Sequence, residues 1–126
     1  MNAILRVALS CMLLGATAAA QAADYPVSGA WTYNDPDGEG AAKICPYNRR
    51  MTFLGNWRRD TGTSVPEYRN LTIDRFDHHR YRVTDEFFTV QIRGKISYTL
   101  SVLDPDHLQI RMDPTGALFK LRRCAS

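Results

Sequence analysis

Cysteine is scarce in this sequence, and no two cysteines stand close together. Only Cys11, Cys45 and Cys124 are present, so the chain lacks the Cys-x-x-Cys spacing of disulfide oxidoreductases. A Gly-x-Ser-x-Gly nucleophile elbow, the sequence signature of many serine hydrolases, is also missing. The sequence therefore argues against thiol redox chemistry and against acyl transfer from an elbow serine.

Concentrated charge and helical periodicity are missing as well. The net charge is +3, and the basic residues are scattered among acids, with only short pairs such as Arg58 and Arg59. Nucleic-acid-binding proteins normally gather their cations on one surface, so we expect no nucleic-acid partner. No ten-residue segment shows a convincing 3.6-residue period, which argues against a helical fold.

No apolar run is long enough to span a bilayer, and the longest one opens the chain. It covers residues 7–14, follows the single early cation Arg6, and leads to small residues with Ala-x-Ala spacing before Asp24. This pattern is typical of a secretory signal peptide rather than a transmembrane helix. We expect removal of residues 1–23, a single domain over residues 24–126, a periplasmic or secreted location, and no stable membrane insertion.

Residues 95–112 carry the clearest structural signal in the sequence. Ile96, Tyr98, Leu100 and Val102 alternate with polar residues, and the alternation resumes from Leu108 to Met112. A period of two places alternate side chains on opposite faces of a strand. Because Asp-Pro-Asp at 104–106 supplies turn residues, the pattern predicts a β-hairpin with one apolar face.

The rest of the chain repeats this pattern in about eight short strands, separated by turn residues every eight to twelve positions. We predict a strand at 29–33, an edge segment at 42–45, one strand over 50–57, turns at Asp77–His78 and at Asp85–Glu86, and a strand over 87–92. Sequential short strands indicate an all-β fold. A small antiparallel up-and-down β-barrel hides its edges best, and a two-sheet β-sandwich is the alternative.

Cys45 and Cys124 are the only cysteines outside the leader. An even count in an exported chain predicts a disulfide. It would close a loop of roughly 80 residues, which the chain-entropy model values at about 4 to 5 kcal/mol. In a closed barrel the first and last strands are neighbours, so a bond from the final strand to an early segment fits this fold.

Gly29-x-Trp31, at the start of the first strand of an exported all-β chain, resembles the opening motif of the lipocalin and wider calycin barrels. In that superfamily an arginine near the last strand packs over the tryptophan and closes the narrow end, and Arg122 or Arg123 stands at the corresponding place. The resemblance implies that Trp31 is structural, held by a cation–π contact. It also implies a carrier of small hydrophobic molecules or an inhibitor of hydrolases. Because an eight-stranded barrel is filled by side chains or holds one small ligand, and this chain is short, we expect a filled interior.

Two polar clusters contain residue types that bind metal ions. His78 and His79 are adjacent, so they can share a metal only if their turn reorients them; with Asp77 and His107 they form the basis of an alternative hydrolase function. Asp35, Asp37 and Glu39 have the alternate spacing of calcium ligands but lack the later features of an EF-hand. We predict no metal and no cofactor.

Aromatic residues exceed what the apolar alternation needs. Since neighbouring strand residues face opposite sides, one of Phe87 and Phe88 should point outward, and arginine with aromatics is the composition of interface hot spots. The residues predicted to contact a partner or ligand are Trp57, Tyr81, Arg82, Phe87, Phe88 and Tyr98. The preferred hypothesis is an exported, non-enzymatic binding protein for a protein partner or a small apolar ligand. The alternatives are a metal- or carboxylate-dependent hydrolase and a structural envelope component.

Overall fold

The computed structural model describes residues 23–33 and 45–125. Its elements are β1 (Gly29–Tyr33), a 3₁₀ helix (Tyr47–Arg49), β2 (Arg50–Leu54), β3 (Trp57–Asp60), β4 (Glu67–Arg75), β5 (Arg80–Phe88), β6 (Arg93–Asp104), β7 (His107–Met112) and β8 (Leu118–Arg123). The predicted signal peptide, the acidic loop at 35–39 and most of the 42–45 edge segment lie outside the described residues. In the described part of the chain, no helix has the length and apolar character needed to cross a membrane.

The eight strands form a closed antiparallel barrel in which each strand pairs with the next along the chain. The ring closes where β1 pairs with β8, with Trp31 opposite Arg123 and Tyr33 opposite Leu121. The predicted hairpin of residues 95–112 is confirmed as β6 and β7. The all-β up-and-down barrel is therefore confirmed, and the sandwich alternative is wrong.

The single strand predicted over 50–57 is in fact two strands. Gly55 has a φ of +59°, a left-handed conformation that glycine adopts without a side-chain clash. The chain reverses there, so Leu54 pairs with Trp57 across the β2–β3 hairpin. As a result Trp57 lies on the outer face and is 43% exposed.

The turn predicted at Asp85–Glu86 does not exist. Both residues lie inside β5, where Asp85 pairs with Asn70 on one side and Ile96 on the other. The strand predicted over 87–92 is also wrong beyond Phe88. Residues 89–92 form the connection to β6, in which the Thr89 N–H donates to the Ile92 carbonyl at 2.7 Å.

One end of the barrel is closed by residues of β1, β2 and β8 together with the segment that precedes β1. Trp31 is fully buried, and the Arg123 guanidinium lies 4.4 Å from its ring. Trp31 Nε1 and Arg123 Nη1 both donate to the carbonyl of Ser28, at 3.1 and 3.4 Å. Tyr25 packs edge-on against Phe53 at 5.0 Å. Of the two candidate arginines, Arg123 occupies the position over the tryptophan.

Cys45 and Cys124 lie with their sulfurs at bonding distance and their Cα atoms 5.5 Å apart. Cys124 directly follows β8, and its N–H donates to the Ala30 carbonyl of β1 at 2.9 Å. Thr32, on the outer face of β1, is buried and donates to the Arg49 carbonyl at 3.0 Å. The disulfide therefore ties the last strand to the segment that covers the first strand, as the sequence predicts.

Candidate functional site

A cavity of about 140 Å³ lies inside the barrel, at the end opposite Trp31. At this end lie the last residues of β1, β3 and β7 and the residues near the start of β4, β6 and β8. Alternation along each strand points every second side chain into the barrel, which gives the cavity a mostly apolar wall. The apolar lining includes Met51, Tyr68, Ile96, Ile110, Met112 and Phe119.

Next to this cavity, in the barrel interior, a buried carboxylate accepts hydrogen bonds from four side chains. Asp85 accepts from the hydroxyls of Tyr25 at 2.8 Å and Tyr98 at 2.7 Å. It also accepts from Asn70 Nδ2 at 3.3 Å and from Arg58 Nε at 3.0 Å. We call these five residues the Asp85 cluster. Because buried charges are tolerated when paired and hydrogen-bonded, this arrangement explains how an ionic group occupies the core.

Arg58 connects the Asp85 cluster to the cavity. It is only 4% exposed, and its guanidinium lies 3.9 Å from the Tyr68 ring centroid and 5.2 Å from that of Tyr98. Such stacking is a favourable cation–π arrangement. Its Nη1 atom lies 3.9 Å from Met51 Sδ. Arg58 and Met51 both line the cavity.

Asp60 adds a second carboxylate on the cavity wall. Its Oδ1 accepts from the Tyr33 hydroxyl at 2.9 Å and from the Gly62 N–H at 3.0 Å, while its Oδ2 lies 3.8 Å from Arg58 Nη1. A Cβ atom at position 62 would overlap the Tyr33 hydroxyl. Glycine at this position therefore keeps Tyr33 on Asp60.

The buried environment keeps the tyrosines protonated. Burial, together with the charge of Asp85 and its hydrogen bonds, raises the pKa of Tyr25 well above the ordinary value. Burial likewise raises the pKa of Tyr98. For Tyr33, burial and the hydrogen bond to Asp60 raise the pKa to about 12. Burial lowers the pKa of Arg58, but its electrostatic interactions with Tyr98 and Asp85 outweigh that effect, and the net shift is upward.

These shifts predict a loss of stability in alkali. The pKa of Tyr33 is raised from its ordinary value near 10 to about 12, so between these pH values the unfolded chain releases a proton that the folded chain retains. We expect the free energy of unfolding to fall as the pH rises from about 10 to 12. In Tyr33→Phe, urea unfolding should show a shallower fall. An equal fall in both proteins would contradict the shift assigned to Tyr33.

The six residues predicted to form a binding site do not form one surface. Tyr98 belongs to the Asp85 cluster, and Tyr81 packs against the core. Phe87 lies edge-on to Tyr68 at 5.9 Å, whereas Phe88 is 54% exposed. One ring of the Phe87–Phe88 pair does therefore point outward, as expected.

The three outward residues have separate partners. The Trp57 ring lies 4.4 Å from the Arg69 guanidinium, and Phe88 has Arg93 5.0 Å above its ring. Arg82 forms an ion pair of 2.9 Å with Asp113. Of the predicted set, only Tyr98 lines the cavity.

All three histidines are exposed: His78 and His79 lie in the turn between β4 and β5, and His107 begins β7. His78 and His79 have ring centroids 6.3 Å apart, and Asp77 caps their turn by accepting the N–H groups of His79 and Arg80 at 2.8 and 3.0 Å. His107 Nδ1 contacts Asp104 at 2.9 Å. Across residues 23–33 and 45–125, no group of three His, Cys, Asp or Glu side chains is placed to hold a metal ion.

Arg58, Asp60 and Asp85 were missed by sequence reasoning. Arg58 and Asp60 are two residues apart, which on a strand places both on the same face. The predicted strand ended at Trp57, whereas β3 begins there. Arg58 and Asp60 therefore lie on a strand, on the face that points into the barrel.

No protein-family model, no curated protein sequence and no solved structure matches this chain.

Proposed function

We propose that this protein is an exported, non-enzymatic, lipocalin-like barrel that binds one small, mostly apolar molecule in the cavity beside Arg58. The observation that carries the proposal is the cavity of about 140 Å³ in a closed barrel. An apolar protein cavity of about 150 Å³ is large enough for benzene. The occupant is therefore about the size of a single ring.

The lining supports binding of such a molecule. Ligand sites are mostly apolar, with a few polar groups placed to orient the ligand. Here Met51, Ile96 and Met112 supply apolar contacts, and Arg58 and Asp60 supply the polar ones. Ring closure and the disulfide hold the wall in place before the ligand arrives, which reduces the ordering cost of binding.

The polar groups favour binding over catalysis. General acids and bases work best with a pKa near the operating pH, whereas the pKa values of Tyr25 and Tyr98 are raised far above it. In the alternative hydrolase, Asp77 would be a ligand or base. Its carboxylate already accepts backbone N–H groups and pairs with Arg80, and these contacts, the N–H of His79 first, lower its pKa.

Export and a lipocalin-like relationship are supported by two contacts. Disulfides persist in oxidising compartments, and the Cys45–Cys124 pair is placed for one. The contact of Arg123 with Trp31 matches the way that calycin barrels close their narrow end. A periplasmic or secreted location is the compartment that fits both the leader and the disulfide.

A protein partner is the second candidate, on a different surface. Leu54 and Trp57 are neighbours in the β2–β3 hairpin and are 74% and 43% exposed. With Arg59 and Glu67 they line an outer groove of about 420 Å³. Tryptophan and arginine are the residue types enriched at interface hot spots, so this groove is where an inhibitor-like contact would lie.

Toluene titration tests the cavity proposal. We expect toluene to bind the purified protein and to shift the NMR signals of the Met51 and Met112 methyl groups. Met112→Trp fills the cavity and should weaken toluene binding at least ten-fold. Leu103→Trp is the matched control, because Leu103 lies at the other end of the barrel and is 54% exposed. Equal binding of toluene to both variants would overturn the proposal, and so would a failure of the unaltered protein to bind either toluene or a substituted compound with the same ring.

A further inference from the structure

The guanidinium of Arg58 reaches the cavity with hydrogen-bonding capacity to spare. Its Nε is committed to Asp85 at 3.0 Å, but the nearest partners of Nη1 are Met51 Sδ at 3.9 Å and Asp60 Oδ2 at 3.8 Å. Among residues 23–33 and 45–125, no oxygen accepts a hydrogen bond from either Nη atom of Arg58. The buried Arg58 cation, 4% exposed, thus presents donors to the cavity.

Asp60 has spare capacity on the same side. Both donors that it receives, the Tyr33 hydroxyl and the Gly62 N–H, go to Oδ1. Within the described part of the chain, Oδ2 accepts no hydrogen bond, and its closest cation is Arg58 Nη1. The cavity wall therefore holds a donor and an acceptor of opposite charge 3.8 Å apart, which is too far for a direct hydrogen bond between them.

One hydroxyl group can satisfy both atoms. A hydroxyl oxygen donates one hydrogen bond and accepts others, and a position about 2.8 Å from each atom exists between two atoms at this separation. An ammonium group could pair with Asp60 but would lie beside the Arg58 cation. A carboxylate could pair with Arg58 but would lie beside Asp60. A neutral hydroxyl has neither conflict.

We propose that the ligand is a small, neutral hydroxylated compound, a phenol or an alcohol with one ring or an aliphatic body of similar size. Its hydroxyl donates to Asp60 Oδ2 and accepts from Arg58 Nη1, while the body lies against Tyr68, Ile96 and Phe119. This inference rests on the proposed binding function. It adds the chemical class of the ligand and the pair of residues that select it.

Four probes with the same ring test the class: toluene, benzyl alcohol, benzylamine as its cation and benzoate as its anion, each titrated into the purified protein at pH 7 by calorimetry or NMR. We expect benzyl alcohol to bind most tightly, ten-fold or more above both ions, although its hydroxyl makes it less apolar than toluene. Tightest binding of benzylamine or benzoate would overturn the inference in favour of a cation or an anion site. Toluene binding as tight as that of benzyl alcohol would show that only the ring is recognised, which leaves the binding function standing. If none of the four binds, the proposed function itself fails.

Asp60→Leu removes the acceptor while keeping a side chain of similar size. We expect it to weaken benzyl alcohol binding at least ten-fold more than it weakens toluene binding. Asp60→Asn keeps a neutral acceptor and should retain most of the affinity for benzyl alcohol. Equal losses for both probes in Asp60→Leu would mean that Asp60 shapes the cavity rather than recognising the hydroxyl. The probe comparison on the unaltered protein needs no substitution, so it decides the question even if Asp60→Leu does not fold.

Discussion

Replacing Asp85 by alanine should reduce the free energy of unfolding by about 3–5 kcal/mol, because removing one partner of a buried ion pair leaves an uncompensated charge. In this protein the abandoned charge is Arg58, which is 4% exposed. Tyr25 and Tyr98 would lose a hydrogen-bond acceptor at the same time, since both hydroxyls donate to Asp85. The measurement is urea unfolding of the variant and the unaltered protein at pH 7.

Glu67→Ala provides the matched control. Glu67 also pairs with an arginine, Arg59, at 2.9 Å, but both side chains are more than half exposed. Exposed pairs contribute about 0–1 kcal/mol, so this variant should be nearly as stable as the unaltered protein. A loss below about 1 kcal/mol in Asp85→Ala would contradict the buried pairing, because a guanidinium that water can reach does not carry the desolvation penalty.

Loss of the disulfide should have a comparable effect. Cys45 and Cys124 are 79 residues apart, and the chain-entropy model assigns closure of a loop of this length about 4 to 5 kcal/mol. We expect the Cys45→Ala/Cys124→Ala double variant to lose about this amount in urea unfolding. The effect acts through the unfolded chain, which becomes free to expand, so the denaturant slope m should rise.

Reduction of the unaltered protein is the control for the double variant. A thiol reductant should lower the stability of the unaltered protein to that of the double variant, and it should leave the double variant unchanged. If the reductant has no effect on the unaltered protein, the disulfide does not form, and the stability assigned to it is wrong.

The parts of the fold that follow from alternation could be predicted from the sequence. Residues 96–102 and 108–112 each have an apolar residue at every second position on either side of a turn, and they form β6 and β7 as expected. The position of Trp31 beside Arg123 followed from the resemblance, which placed an arginine near the last strand over the tryptophan. Both signals are local to one strand or belong to a known pattern, so neither requires knowledge of distant contacts.

The candidate site could not be predicted because its polar residues depend on partners far away in sequence. Asp85 beside Glu86 has the composition of a turn, yet Asp85 is fully buried in β5. Its carboxylate is stable there because Arg58, 27 residues earlier, donates to it together with Tyr25, Asn70 and Tyr98. The inward face of β5 runs through Tyr81, Val83, Asp85 and Phe87, so continued alternation through one acid was the only signal. Interpreting Asp85 and Glu86 as a turn removed that signal.

Closure of the barrel depends on one strand pair whose two strands are far apart in the sequence. Seven of the eight pairings join strands that are consecutive along the chain, and only β1 with β8 brings residue 31 to residue 123. Local pairings have a low contact order and form quickly, whereas distant ones must first overcome the entropy of closing a long loop. The kinetic difficulty of folding this chain therefore lies at one seam, between β1 and β8. The seven pairings between consecutive strands can form without it. Only at this seam must the first and last strands meet.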